Sequence, residues 1–234
     1  MLNMIKNKLK KFKAYLTNMV RSYARESYAQ EGEDILLAEH FQGLQKGFFV
    51  DVGAHHPRRF SNTYLLYRKG WRGLNIDPMP GVKALFDKIR PRDTTIEMGI
   101  ASQSTTLRYA MFDEPALNGF DQELSLHRDK TTPYKIQNYI DVPVRPLAAI
   151  LGEYLKDGQC IDLLTVDVEG LDLDVLQSND WSRYVPSIVV AELRCDEVYQ
   201  ITADPIYKFL LDKNYYMCSW TGRSCIFKHR DAKI

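Results

Sequence analysis

Carboxylates close three apolar runs of this chain, each just ahead of a glycine or a proline. Asp51 ends Phe48-Phe49-Val50-Asp51-Val52 before Gly53, and Asp77 ends Leu74-Asn75-Ile76-Asp77 before Pro78. Asp167 and Glu169 end the run that begins at Ile161, before Gly170. Runs of this kind read as strands buried in a parallel sheet, whose carboxyl ends open onto the crevice where α/β proteins bind ligands. Gly53 permits a tight turn after the first acid. Asp77 follows it by 24 residues, near the spacing at which an acid beyond a strand-glycine-helix turn holds two ribose hydroxyls. The pair points to a nucleoside-containing cofactor without saying which. Asp167 and Glu169 stand at i and i+2, so they share a face and address one centre if the strand runs that far.

The elements that must position these groups follow from patterning. The spacing predicts a short helix over 35–41 with Glu33 and Asp34 in its first turn, where the helix dipole alone would account for them. Strand 48–52 leads to a helix over about 62–69, with Ser61-Asn62-Thr63 as caps and Gly70 as its stop. After the second strand, Pro78-Met79-Pro80 opens a helix to about 89, which Pro91 ends, and 94–100 reads as a third strand. This β-α-β-α-β run demands right-handed crossovers and a parallel sheet. Residues 101–134 break the rhythm: a turn, a strand over 107–112, then a polar segment containing Asn118, Glu123, His127 and Arg128. Such an insertion is usually a lid or substrate loop, and Leu117, Phe120, Leu124 and Leu126 weigh against disorder. Extended structure over 139–144 and a helix over 147–155 precede the strand of Asp167, and a helix over 172–178 follows it. A fifth strand over 187–193 ends among Glu192, Arg194 and Asp196. Asp204 caps and Pro205 opens a helix to about 213, and Thr221-Gly222-Arg223 turns a hairpin between 215–220 and 224–228. The expectation is a mixed α/β sandwich in one domain, residues 28–234.

Residues 1–27 differ. Lys6, Lys8, Lys10, Lys11, Lys13, Arg21 and Arg25 stand there with no acid among the first 25 residues. Ile5, Leu9, Phe12, Leu16, Met19 or Val20, and Tyr23 recur at helical spacing. This basic amphipathic helix either lies on an anionic membrane surface or packs on its own domain or a twin subunit. Over the whole chain 31 basic residues balance 30 acidic ones, which gives no nucleic-acid signature, and 45% hydrophobic residues suffice for a full core. Cys160, Cys195, Cys218 and Cys225 lack metal-ligand spacing and read as reduced thiols, with a Cys218–Cys225 bridge across the hairpin left open. Neither a spanning run nor a signal peptide is legible, so the expectation is a cytoplasmic protein, peripheral at the inner membrane face if the basic helix docks there.

Five motifs in order carry a resemblance: Gln30-Glu31-Gly32-Glu33-Asp34, Phe49-Val50-Asp51-Val52-Gly53-Ala54-His55-His56-Pro57, Ser61-Asn62-Thr63, Gly70-Trp71-Arg72-Gly73-Leu74-Asn75-Ile76-Asp77 and Asp167-Val168-Glu169-Gly170. The set resembles the FkbM-type methyltransferases, class I enzymes that use S-adenosylmethionine. The resemblance implies a Rossmann-like seven-stranded sheet of order 3-2-1-4-5-7-6, mostly parallel, with strand 7 antiparallel. It implies a cofactor site of Gln30, Asp51, Gly53, Ala54, Asp77, Pro78, Met98, Gly99 and Asp167. It also implies methylation of an oxygen, typically a sugar hydroxyl of a surface glycan of capsule or O-antigen type or its precursor. The lone Gly53 agrees, since a pyrophosphate needs further glycines and this cofactor has no phosphate.

A sugar hydroxyl is a weak acid and needs a base or a divalent cation. The candidate bases are His55, His56, Glu169 and His127, with His55 or Glu169 favoured and Asp167 beside them near the sulfonium. Asp167, Glu169 and Glu192 are candidate ligands for Mg²⁺ or Mn²⁺, against a competing reading in which Asp167 meets the cofactor and the others form salt bridges. Asp51 has a competing role in satisfying loop amides. Arg58, Arg59 and Arg128 suit a phosphate or carboxylate on a nucleotide-sugar or lipid-linked acceptor. The alternatives are an N- or phosphate-directed methyltransferase, or a non-catalytic nucleoside-binding scaffold subunit.

Overall fold

The computed structural model describes residues 2–20, 24–193, 195 and 197–234, and within the first helix the side chains of residues 6–17. Arg21, Tyr23, Arg194 and Asp196, which the sequence reading used, lie outside the described residues, as do the side chains of Ile5, Met19 and Val20.

The chain opens with α1 (Leu2–Val20) and α2 (Glu33–His40). The acids that begin α2 do more than meet its dipole. Asp34 is buried and accepts hydrogen bonds from the Ser27 hydroxyl and the Tyr28 amide. Glu33, also buried, accepts from Thr221 far along the chain. Then β1 (Phe48–Val52), α3 (Tyr64–Arg68), β2 (Arg72–Asp77), α4 (Val82–Ile89) and β3 (Thr94–Glu97) form the predicted parallel β-α-β-α-β half. Ser61 caps α3 by accepting the Tyr64 amide, whereas Thr63 turns its hydroxyl inward to Asp51.

The third strand does not run straight to residue 100. It breaks at Met98, whose amide is bonded to the Asp77 carbonyl, and β4 (Gly99–Ile100) crosses into a second sheet. That sheet, of order β4-β6-β5, contains β5 (Thr105–Phe112) and β6 (Ile136–Arg145). Between these two strands the insertion is folded. A 3-10 turn over Pro115–Leu117 is followed by α5 (Gln122–Thr131), whose cap is the Asp121 carboxylate accepting the Leu124 amide.

The chain then returns to the main sheet through α6 (Leu147–Tyr154), β7 (Leu163–Val166), α7 (Asp172–Gln177) and β8 (Ile188–Glu192). It closes with α8 (Val198–Ile201), absent from the sequence reading, then α9 (Pro205–Asp212), β9 (Tyr215–Trp220) and β10 (Ser224–His229). The main sheet runs β3-β2-β1-β7-β8-β10-β9, with β10 antiparallel to both neighbours. Counting only its own strands, that is 3-2-1-4-5-7-6, the order that the resemblance implies. Cys218 and Cys225 do not bridge: the β9–β10 register pairs Cys225 with Trp220, a bulge lies beside Cys218, and neither sulfur is in a disulfide.

Cores on both sheet faces explain the unbroken apolar runs. Val50, Val52, Leu164 and Val166 pack on one side with Leu147 and Ile150, while Phe49, Leu163 and Ile188 meet Leu37 and Leu66 on the other. Under the second face Arg90 is fully buried, donating to Asp93 at 2.7 Å and to Thr63, with its guanidinium against Phe49, Tyr67 and Phe86. Breaking a buried pair of this kind costs about 3–5 kcal/mol, because the remaining charge is stranded.

Candidate active site

The carboxyl ends of β1, β2 and β7 converge on a cavity of about 1060 Å³, open mouth included. Its floor is set by Gly53, at φ +82°. A Cβ at Gly53 would lie 1.7 Å from the Asp167 carbonyl oxygen, so no side chain fits where β1 turns past β7. Asp77 ends β2 as a buried carboxylate that accepts the His55 amide at 2.7 Å and the Met79 amide at 2.8 Å. Each oxygen takes one amide and keeps a lone pair for a ligand in the cavity. Burial raises the Asp77 carboxyl to about 6 against the pull of those two amides.

The wall beyond β2 comes from the small sheet and the insertion: Met98, Gly99, Ile100, Tyr109, Asn118 and Phe120 line it. Gly99 leaves room for the Phe120 ring, which a Cβ there would meet at 2.6 Å. Asn118 is 6% exposed; its Oδ1 accepts the Phe112 amide at 2.7 Å and its Nδ2 is buried with no partner. A buried donor left unmade costs about 1–3 kcal/mol, and a ligand accepting from Asn118 would recover it.

The mouth is strained. His55, Phe60 and Glu169 all line the cavity and all adopt left-handed φ, at +50°, +57° and +59°. Outliers of this kind cluster where surrounding structure holds groups for function. The His55 Nε2 is buried without a hydrogen-bond partner. Burial, then the Arg59 and His56 charges, pushes the His55 imidazole down to about 4, so it is neutral at pH 7. Phe60 lies beside it as an exposed ring, stacked at 6.3 Å between centroids. Two ion pairs fasten the insertion across this mouth: Arg59 bonds both oxygens of Glu114 at 2.8 and 2.9 Å, and Arg128 pairs with Glu169.

Acids accumulate on the β7 side. Asp167 is exposed to the cavity, and its carboxyl is raised well above the usual range by desolvation within the cleft and by Glu169, Glu192, Asp172 and Asp51. Asp172, raised to about 7 by burial and by Glu192, accepts the Val168 and Gly170 amides and so shapes the turn that presents Glu169. Crowded carboxylates in a cleft favour a cationic ligand, whose charge lets them ionise. S-adenosylmethionine, with a sulfonium and an ammonium, fits that demand, the Asp77 lone pairs and the buried Asn118 donor.

The sequence-predicted residues divide. Gln30, Gly53, His55, Asp77, Pro78, Met98, Gly99, Asp167, Glu169 and Glu192 all line the cavity. Asp51 and Ala54 do not. Alternation along β1 places Asp51 on the face of Phe49, where it accepts from Thr63 beneath Arg90, and Ala54 packs with Val82, Phe86 and Met79. The i, i+2 argument for Asp167 and Glu169 fails because β7 ends at Val166 and Glu169 sits in a left-handed turn. Glu169 is drawn to Arg128, and among the described residues no three His, Cys, Asp or Glu side chains are placed to hold a metal ion. The proposed Mg²⁺ or Mn²⁺ set of Asp167, Glu169 and Glu192 therefore lacks the required geometry. His56 is occupied too, its Nδ1 accepting the Arg58 and Arg59 amides. His127 and Arg58 do not line the cavity. Tyr109, Phe60 and Arg223 were missed. Arg223 arrives from the hairpin turn, tied by its own amide to Glu31, and nothing local in the sequence signals that.

No curated protein sequence matches the chain. Among solved structures it is similar to a precorrin-6y C5,15-methyltransferase from Geobacter metallireducens GS-15, with a TM-score of 0.41 and 11% identity, over 87% of this chain and 92% of that one. The family model described as the methyltransferase FkbM domain matches residues 51–217, more than two thirds of the chain and most of the elements that build the cleft. With the strand order and the acid-lined cleft already in place, that match shows that the chain belongs to the FkbM methyltransferase domain family.

Proposed function

We propose that this methyltransferase moves a methyl group from S-adenosylmethionine to a hydroxyl of a sugar, in a surface glycan of capsule or O-antigen type or in its nucleotide-sugar or lipid-linked precursor. The observation that carries the oxygen acceptor is the His55 Nε2: buried, unpartnered, in an imidazole that is neutral at pH 7, beside an exposed Phe60 ring. An apolar ring face next to polar side chains suits a pyranose, which presents C–H groups on one face and hydroxyls at its edge. Gln30, Arg128 and Arg223 stand around the same mouth to receive those hydroxyls.

The bound cofactor supplies an already activated methyl group on a positive sulfur. The protein supplies alignment, which in oriented reactions is worth up to about 7–11 kcal/mol, and a place for the proton. Asp77 takes the ribose, and Asp167 sets the negative potential at the sulfonium end. His55 accepts the acceptor's proton, a role commonly worth about 10²–10⁴-fold. Glu169, held by Arg128, closes the turn over the reacting centre rather than serving as the base. Family membership and a cleft lined by Gly53, Asp77 and Asp167 favour an enzyme over a scaffold subunit.

Incubation of the protein with methyl-labelled donor and a panel of nucleotide-sugars, oligosaccharides and lipid-linked glycans tests this reading. Label in an alkali-stable ether on a sugar, lost in His55→Gln, is the result expected. Label only on amines or on phosphate esters would move the acceptor class to nitrogen or phosphate.

A further inference from the structure

The described side chains of helix α1 take no part in the cleft. From Lys6 to Thr17 every side chain on it is exposed, among them Leu9 at 62%, Phe12 at 60% and Leu16 at 45%. At about 100° of turn per residue, these three fall within an arc of about 60°. Lys8 and Lys13 stand on its two flanks, and Lys6, Lys10 and Lys11 are spread over the remaining face. An aligned apolar stripe left in water is a surface that lacks its partner. Among the described residues nothing covers it.

The charge pattern chooses the occupant. The first 25 residues carry seven cations and no acid. A second copy packed stripe to stripe would bring the flanking lysines of both helices together, with no carboxylate on either to offset them. An anionic lipid surface meets both demands at once, taking the stripe at the headgroup boundary and the lysines at the phosphates. Among the described residues no helix is long and apolar enough to cross a membrane. The geometry is that of a helix lying in the interface.

We propose that α1 docks the protein on an anionic membrane surface through Leu9, Phe12 and Leu16, with Lys8 and Lys13 at the phosphates. Co-sedimentation of the full chain with vesicles tests it, using phosphatidylcholine alone and phosphatidylcholine with one third phosphatidylglycerol. The protein is expected to sediment with the anionic vesicles, less so as salt rises, and to stay in solution with the neutral ones. Each lysine near such a surface is worth about fivefold in partition, so Lys8→Gln with Lys13→Gln lowers binding roughly 25-fold. Leu9→Glu with Phe12→Glu abolishes it and leaves the melting temperature unchanged, since both side chains face water. Equal partition onto neutral vesicles, or none onto anionic ones, overturns the proposal. A lower melting temperature in Leu9→Glu/Phe12→Glu would also overturn it, by showing that the stripe packs on the body. A lipid-free dimer in sedimentation equilibrium that this variant dissolves would assign the face to a second copy instead.

Discussion

Asp77 and Asp167 line one cleft but are assigned different parts of the cofactor, and a pair of isosteric substitutions separates them. S-adenosylmethionine and its product S-adenosylhomocysteine share ribose, adenine and amino-acid groups and differ in the sulfonium charge. Asp167 lines the cavity, where desolvation and four neighbouring acids push its carboxyl well above the usual carboxylate range. Two unit charges about 4 Å apart interact by about 4 kcal/mol at an effective dielectric of 20. Part of that is spent ionising a reluctant carboxyl, which leaves about 1–2 kcal/mol. Asp167→Asn is therefore expected to weaken S-adenosylmethionine about tenfold and S-adenosylhomocysteine by less than threefold. Asp77→Asn should weaken both equally, since the ribose is common to them. It should also destabilise the free protein by about 1–3 kcal/mol, because an amide NH₂ then faces either the His55 or the Met79 amide. Titration calorimetry with both ligands on each variant, with melting curves alongside, reads all of these. Equal losses of the two ligands in Asp167→Asn would refute the assignment of the sulfonium to the β7 acids.

Other outcomes follow from the same geometry. Asn118→Leu removes a buried amide donor from the cavity wall and is expected to weaken cofactor binding about tenfold by calorimetry, with the turnover of saturated enzyme little changed. Arg90→Met strands Asp93 and should cost about 3–5 kcal/mol in denaturant unfolding, the cofactor affinity of the folded fraction being preserved. Arg128→Ala unfastens the insertion from Glu169 and is expected to raise the KM for the acceptor more than the Kd for the cofactor. Stability of the free protein should depend on pH. Asp51 and Asp77 are raised to about 6 and Asp172 to about 7. Each contributes stability that is full below the unfolded value near 3.8 and is lost as pH rises through the folded value. His55, lowered to about 4, contributes stability present above 6.5 and lost as pH falls through 4. Three carboxyls outweigh one imidazole, so melting should be higher at pH 5 than at pH 8 by about 5 °C or more, and saturating S-adenosylmethionine should narrow the gap.

Much of this arrangement was legible because short-range rules govern it. Strands buried on both faces read as apolar runs. Gly53 had to be glycine where β1 passes the Asp167 carbonyl, and Asp204-Pro205 opened α9 by capping chemistry alone. What stayed hidden depends on contacts between distant segments. Asp51 and Asp77 look alike in sequence, yet strand alternation turns Asp51 toward Thr63 while Asp77 meets the loop after β1. Glu169 could not be placed because its φ of +59° follows from the Asp172 carboxylate gathering the amides of Val168 and Gly170. The insertion was expected to be a lid or substrate loop and its residues do line the cavity, but its helix carries hardly any apolar stripe and was not read from the sequence. Arg223 reaches the cleft through the hairpin's attachment to Glu31, a contact 192 residues apart.

The most direct measurement is a crystal structure with S-adenosylhomocysteine bound. Its ribose hydroxyls are expected within hydrogen-bond distance of the Asp77 carboxylate, its adenine against Met98 and Phe120, and its sulfur on the Asp167 side facing His55. A ligand bound away from the ends of β1, β2 and β7, or one whose ribose leaves Asp77 untouched, would contradict this placement.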